Sequence, residues 1–170
     1  MPALSIRLDA KLLAVVAVAM IVAVGGWEAW RVVGPRPKVD VPRVVTDFGH
    51  QKVIYHLSEA GGYLGHKHRG WLGNMENHFA ALDPGQLELV VVMNGDGVDL
   101  LTHAASDEAL ARRIDALKAK GTRFLVCRNT LISRGIEPSA LYGLATEDLI
   151  GAGVAQIALL ERQGFGYLKP

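Results

Sequence analysis

The chain has a single cysteine in 170 residues, Cys127, so it can form neither an internal disulfide nor a cysteine-rich zinc site. It has almost no charge imbalance. Eighteen basic against 17 acidic side chains leave +1, which gives no electrostatic footprint for a nucleic-acid partner. Charged residues reach only 21% while hydrophobic ones reach 50%, which excludes a disordered chain and supplies a core. A phosphate-binding P-loop is missing too. Lys67 stands between His66 and His68, where that loop requires glycine before the lysine and a hydroxyl residue after it. His66 and His68 have no third ligand at metal-site spacing, so no metal is expected, and nothing implies a cofactor. Neither a Ser/His/Asp nucleophile elbow nor a paired-carboxylate site emerges from the spacing.

The chain does contain a charge-free apolar run at residues 12–26, preceded by Arg7 and Lys11. At about fifteen residues it is shorter than the roughly 20 that a spanning helix needs, and its basic front fits a secretory signal. Trp27 and Trp30 suit an interfacial anchor instead. Residues 1–30 are therefore expected to be an N-terminal hydrophobic helix, serving as signal peptide or membrane anchor, with membrane contact through this segment alone. The expected location is exported: periplasmic or membrane-anchored. Arg31, Arg36, Lys38 and Arg43 follow the run, and the positive-inside rule would let an uncleaved anchor leave the domain facing the cytoplasm. Residues 31–49, with Pro35, Pro37 and Pro42, read as an extended linker.

From residue 50 to 170 strands alternate with helices. Residues 52–57 are β-branched and aromatic, as strands are. Residues 59–70 carry four glycines and read as a loop. Trp71, Met75, Phe79 and Leu82 then follow helical spacing. The near-continuous apolar run 87–93 suits a central parallel strand covered on both faces. A short helix at 98–105 and a longer one capped by Ser106 precede a third strand, 123–127. A short helix starts at Asn129, a weaker strand lies within 144–150, and a helix at 153–163 places Val154, Ile157, Ala158 and Glu161 in register. A last strand covers 165–168. The pattern predicts one α/β domain of three layers with a mostly parallel five-stranded sheet. Ligands in such sheets sit beyond the carboxyl ends of the strands, here the loops at 58–70, 94–97 and 127–130.

Cys127 ends the third strand where a helix begins. A helix start presents unpaired N–H groups and partial positive charge, which favour the reactive thiolate, and Arg128 adds a nearby cation. Asn129 and Thr130 can donate to an anionic sulfur or a bound substrate. A small, inert core residue is the competing reading of the same cysteine. Asn94 and Gly95 close the neighbouring strand, and the glycine permits close backbone approach to a ligand. Asn77 and His78 point away from the core-facing stripe of the first helix and could reach a neighbouring loop.

Several stretches together resemble the DsrE/DsrF-like family, particularly its small single-cysteine members: residues 52–57, Asn77-His78, 88–95, 114–121, 153–154 and 166–170, and most specifically Arg123-Phe-Leu-Val-Cys-Arg-Asn-Thr-Leu131. The resemblance implies a parallel five-stranded sheet and a homo-oligomer. It also implies a sulfur carrier or sulfurtransferase in which Cys127 holds persulfide sulfur, with a sulfur-donor or sulfur-acceptor protein as partner. Arg128, Asn129, Thr130, Asn94, Gly95, Asn77 and His78 are the expected substrate-binding set. Two other classes fit the same residues: a non-catalytic oligomeric binding module of the cell envelope, and a redox sensor forming intermolecular disulfides.

Overall fold

The structure, a computed structural model, describes residues 40–42, 44 and 46–170. The chain divides into two compact units, Met1–Val45 and Thr46–Pro170, and the second contains every helix and strand of the described residues. The hydrophobic helix expected at 1–30, and the linker as far as residue 39, lie outside those residues. No described helix is long and apolar enough to cross a membrane.

Five strands form the sheet: β1 (Gln51–Leu57), β2 (Leu87–Met93), β3 (Arg123–Cys127), β4 (Leu149–Ile150) and β5 (Gly166–Leu168). All pairs are parallel, in the order β4-β3-β2-β1-β5. Five α-helices connect them: α1 (His66–Ala81), α2 (Asp99–Ala104), α3 (Glu108–Ala119), α4 (Arg128–Arg134) and α5 (Gly153–Arg162). Parallel strands need such crossovers, which is why apolar runs and amphipathic stretches alternate along the chain.

Strand alternation divides the core between two faces. Val53, Tyr55, Leu57, Leu89, Val91, Met93, Phe124 and Val126 pack with Trp71, Leu72 and Met75 of α1, Leu100 and Leu101 of α2, and Leu110, Ile114 and Leu117 of α3. Ile54, Val90, Val92 and Leu125 face the other way, against Ile157 and Leu160 of α5 and Phe165. Three layers result, as expected, and β2 is buried on both faces, as its unbroken apolar run requires.

Four local expectations need correction; the simplest is the cap of α3, which is Asp107, accepting from the Leu110 N–H at 3.0 Å, and not Ser106. The first helix starts at His66 rather than Trp71, inside the stretch read as a loop. Gly65 takes the left-handed N-cap position at φ 64, and the buried stripe begins with His68, ahead of Trp71, Leu72 and Met75. The strand sought within 144–150 shrinks to Leu149–Ile150 because a 3-10 turn, Thr146–Asp148, occupies the approach to it. On α5 the buried residues are Gly153, Ile157 and Leu160, whereas Val154 is 68% exposed and Ala158 and Glu161 are exposed. Apolarity alone chose the wrong phase there. Gly153 faces inward against Asn94, where a Cβ would stand 3.3 Å from the Asn94 Cβ, a tight contact.

His68 is 1% exposed and stacks near Trp71, with ring centroids 5.3 Å apart. Its Nδ1 lies 3.2 Å from Nδ1 of His103 at the end of α2, and its Nε2 has no partner among the described residues. Burial first, and then the neighbouring His103, push its pKa down to about 4; Asp99 pulls it up and Arg69 adds to the lowering.

Candidate functional site

β1, β2 and β3 lie side by side, and their registers align His56 with Val92 and Val92 with Leu125. Two residues further on, Asn94 and Cys127 come abreast of each other on the face that α5 covers. Neighbouring strands are about 4.8 Å apart, so these two side chains are direct lateral neighbours. Tyr167 joins from β5, which pairs with β1 on its other side. The carboxyl edge of this face therefore carries a row from four strands: Tyr167, His56, Asn94 and Cys127.

Cys127 is both the last residue of β3 and the N-cap of α4, and it is 5% exposed. The groups that hold its thiol pKa down are the backbone N–H groups of Gly153, Thr130 and Asn129 and the hydroxyl of Thr130. Two helix starts thus meet on one atom: α4 supplies Asn129 and Thr130, and α5 supplies Gly153. Burial pushes the thiol pKa up, but the donors from Gly153, Thr130 and Asn129 together outweigh it, so the net shift is downward. Hydrogen bonding to the charged form is the deciding effect. Arg128 is exposed and is not among the groups that act on the sulfur. It lines a cleft of about 320 Å³ with Leu131, Ile132, Ile136 and Leu149.

The loop after β2 is fixed to α4. Gly95 N–H donates to the Thr130 hydroxyl oxygen at 3.1 Å, and Arg134 donates to the Gly95 carbonyl at 3.0 Å while pairing with Asp99 at 3.0 Å. The Thr130 hydroxyl therefore accepts from the loop, and it is also one of the groups that lower the Cys127 pKa. Gly97 lies so close to the end of β1 that a Cβ there would meet the Leu57 carbonyl oxygen at 2.1 Å.

Beside the cysteine, His56 Nε2 lies 3.0 Å from Asn94 Oδ1, and His56 Nδ1 lies 2.7 Å from the Tyr167 hydroxyl. An amide oxygen only accepts, so the ring proton sits on Nε2 and Tyr167 donates to Nδ1. The other end of the Asn94 amide, Nδ2, lies 3.4 Å from where a Cβ on Gly153 would stand, next to the N–H that Gly153 directs at the sulfur.

Cys127, Asn129, Thr130 and Asn94 thus come together, and Gly95 joins through Thr130. Asn77 and His78 do not. His78 sits in the last turn of α1 on the opposite face, with Nε2 2.8 Å from Oε1 of Gln51, the first residue of β1, and Nδ1 3.2 Å from the Tyr55 hydroxyl. Asn77 is exposed beside it. Sequence reasoning missed His56, Tyr167 and Gly153. The available signal was strand alternation: His56 shares the parity of Ile54, and it stands one residue before the end of β1.

A family model described as the DsrE/DsrF-like family matches residues 59–170. Among solved structures, a protein of unknown function from Methanobacterium thermoautotrophicum has the same fold. The TM-score is 0.57 and the identity 24%, over 71% of this chain and 99% of that one. No curated protein matches.

Proposed function

Because the chain belongs to the DsrE/DsrF-like family, we propose that it carries sulfane sulfur as a persulfide on Cys127 and passes it to a partner thiol. The Cys127 thiolate attacks the outer sulfur of a donor persulfide, R–S–S–H. A bond forms between that sulfur and Cys127, the donor's S–S bond breaks, and its electron pair leaves on the donor thiolate. The transferred sulfur releases its proton to solvent. An acceptor thiolate then attacks the outer sulfur, and the electron pair of the broken bond restores the Cys127 thiolate.

The observation that carries this reading is the place of Cys127, at once the last residue of β3 and the N-cap of α4 at the carboxyl edge of the sheet, where N–H groups of Gly153, Thr130 and Asn129 help to hold its thiol pKa down. Intact-mass analysis after exposure to a sulfane donor tests the proposal: the native protein gains one sulfur and Cys127→Ser gains none. No gain in the native protein, or equal gain in the variant, overturns it. Slow alkylation that does not vary with pH would favour a binding module with an inert thiol, and a disulfide-linked dimer after mild oxidation would favour the redox sensor.

Homo-oligomerisation belongs to the same proposal. The outer side of α5 exposes Val154 at 68% and Leu159 at 39%, and the edge strand β5 exposes Tyr167 and Leu168 at 43% each. A face of this kind suits a second copy of the chain, and sedimentation equilibrium tests it. The apolar run at 12–26 supports export or anchoring of the domain, which cell fractionation with N-terminal mapping tests.

A further inference from the structure

We propose that Asn94 is the specificity-determining donor for the outer sulfur of the Cys127 persulfide, and that His56 and Tyr167 are positioning residues which hold its amide in the donating orientation. The inference rests on the persulfide reading and goes beyond it by assigning the second sulfur a place.

Four groups already face the inner sulfur, and Asn94 is not one of them. Its Nδ2 has no hydrogen-bond partner among the described residues, although it lies beside Gly153 and abreast of Cys127. An asparagine amide is symmetric in shape, so packing alone does not decide which end faces the cysteine. His56 decides it. With Oδ1 3.0 Å from Nε2, the ring proton sits on Nε2 and holds the amide oxygen there, and the Tyr167 hydroxyl at 2.7 Å donates to Nδ1. The Nδ2 end of the amide then lies on the Gly153 side, 3.4 Å from where a Cβ on that glycine would stand. A persulfide is anionic at its outer sulfur, which lies one S–S bond beyond the atom that the helix starts surround. A donor in that position acts chiefly on the loaded form, since Asn94 is not among the groups that lower the pKa of the unloaded thiol. A sulfane sulfur anion is therefore the favoured occupant, and a bulky mixed disulfide at a 5% exposed cysteine is not.

The test separates the two sulfurs. Full-length protein is loaded with a persulfide donor, and the lifetime of the bound sulfur is followed by intact mass. The thiolate of the unloaded protein is titrated by its ultraviolet absorbance in parallel. Asn94→Asp keeps the shape, keeps an acceptor for His56, and replaces the donor with a repelling oxygen. It should also raise the thiol pKa of the unloaded protein, because a carboxylate then stands beside Cys127; compared at a pH where both proteins are fully ionised, it should shorten the lifetime of the bound sulfur about tenfold or more, the scale of a hydrogen bond to a charged partner. His56→Leu and Tyr167→Phe should shorten it in the same direction. His56→Gln, which still donates to Oδ1, should restore most of it; a purely structural role for His56 would not produce that rescue. Tyr167 is exposed on an edge strand, so Tyr167→Phe keeps the test decisive should Asn94→Asp fold poorly. A native lifetime in Asn94→Asp and Tyr167→Phe overturns the assignment of Asn94 and leaves the persulfide reading standing. Failure of the native protein to take up sulfur overturns both.

Discussion

Thr130→Val removes one hydroxyl from the sulfur and changes almost nothing else. The side chain keeps its branched shape, and the backbone N–H groups of Asn129, Thr130 and Gly153 stay on Cys127. What goes is one donor to a thiolate. Hydrogen bonds to charged groups contribute about 1.5–3 kcal/mol, which corresponds to about a ten- to hundredfold fall in the ratio of thiolate to thiol. Alkylation of Cys127 at neutral pH should slow by about that factor. At high pH, where both proteins are fully ionised, the two rates should converge. The fold should barely register the change: the Gly95 N–H that loses its acceptor belongs to an exposed residue, and water replaces the bond. Thr130→Ser, which keeps the hydroxyl, should titrate like the native protein. Should the valine variant also titrate like the native protein, the backbone donors alone hold the anion, and the claim for the hydroxyl is refuted.

The buried His68 should make stability depend on pH. Its folded pKa is lowered to about 4 from 6.5, by burial and then by His103, so the unfolded chain takes up the proton first as pH falls. The stabilisation is fully present above 6.5 and is lost on the way down to about 4, by about 3 kcal/mol in all. Urea midpoints across that range should fall for the native protein and stay flatter for His68→Leu; parallel curves would refute the assignment. Gly97→Ala sets a Cβ 2.1 Å from a backbone oxygen and should cost about 3 kcal/mol in chemical denaturation. An unchanged midpoint would mean that β1 gives way at Leu57.

The layers of the fold were legible because burial leaves a direct trace in sequence. The run from Leu87 to Met93 is unbroken because β2 is covered twice, and Leu110, Ile114 and Leu117 repeat at helical spacing because α3 is covered once. Cys127 was legible as a strand end followed by a helix start. The rest depended on information that a single strand does not contain. His56 becomes a site residue only once register brings it level with Leu125, and register is a property of pairs of strands. Tyr167 required knowing that β5 pairs with β1 rather than with β4. His68 was hidden by its company: glycines that usually signal a loop here shape the turn into α1, and a histidine in such a stretch resembles a ligand more than a core residue. On α5 the inward face includes Gly153, packed against Asn94, and no hydrophobicity scale registers a glycine as a contact residue.

The crossover from β4 through α5 to β5 starts over Cys127 and ends beside His56, so residues 153–168 supply both Gly153 and Tyr167. During synthesis these are among the last parts of the domain to leave the ribosome. Until they dock, the cysteine lacks one of its four donors and the asparagine lacks its orienting chain. In a nascent domain the row at the carboxyl edge therefore stays incomplete until the final crossover closes.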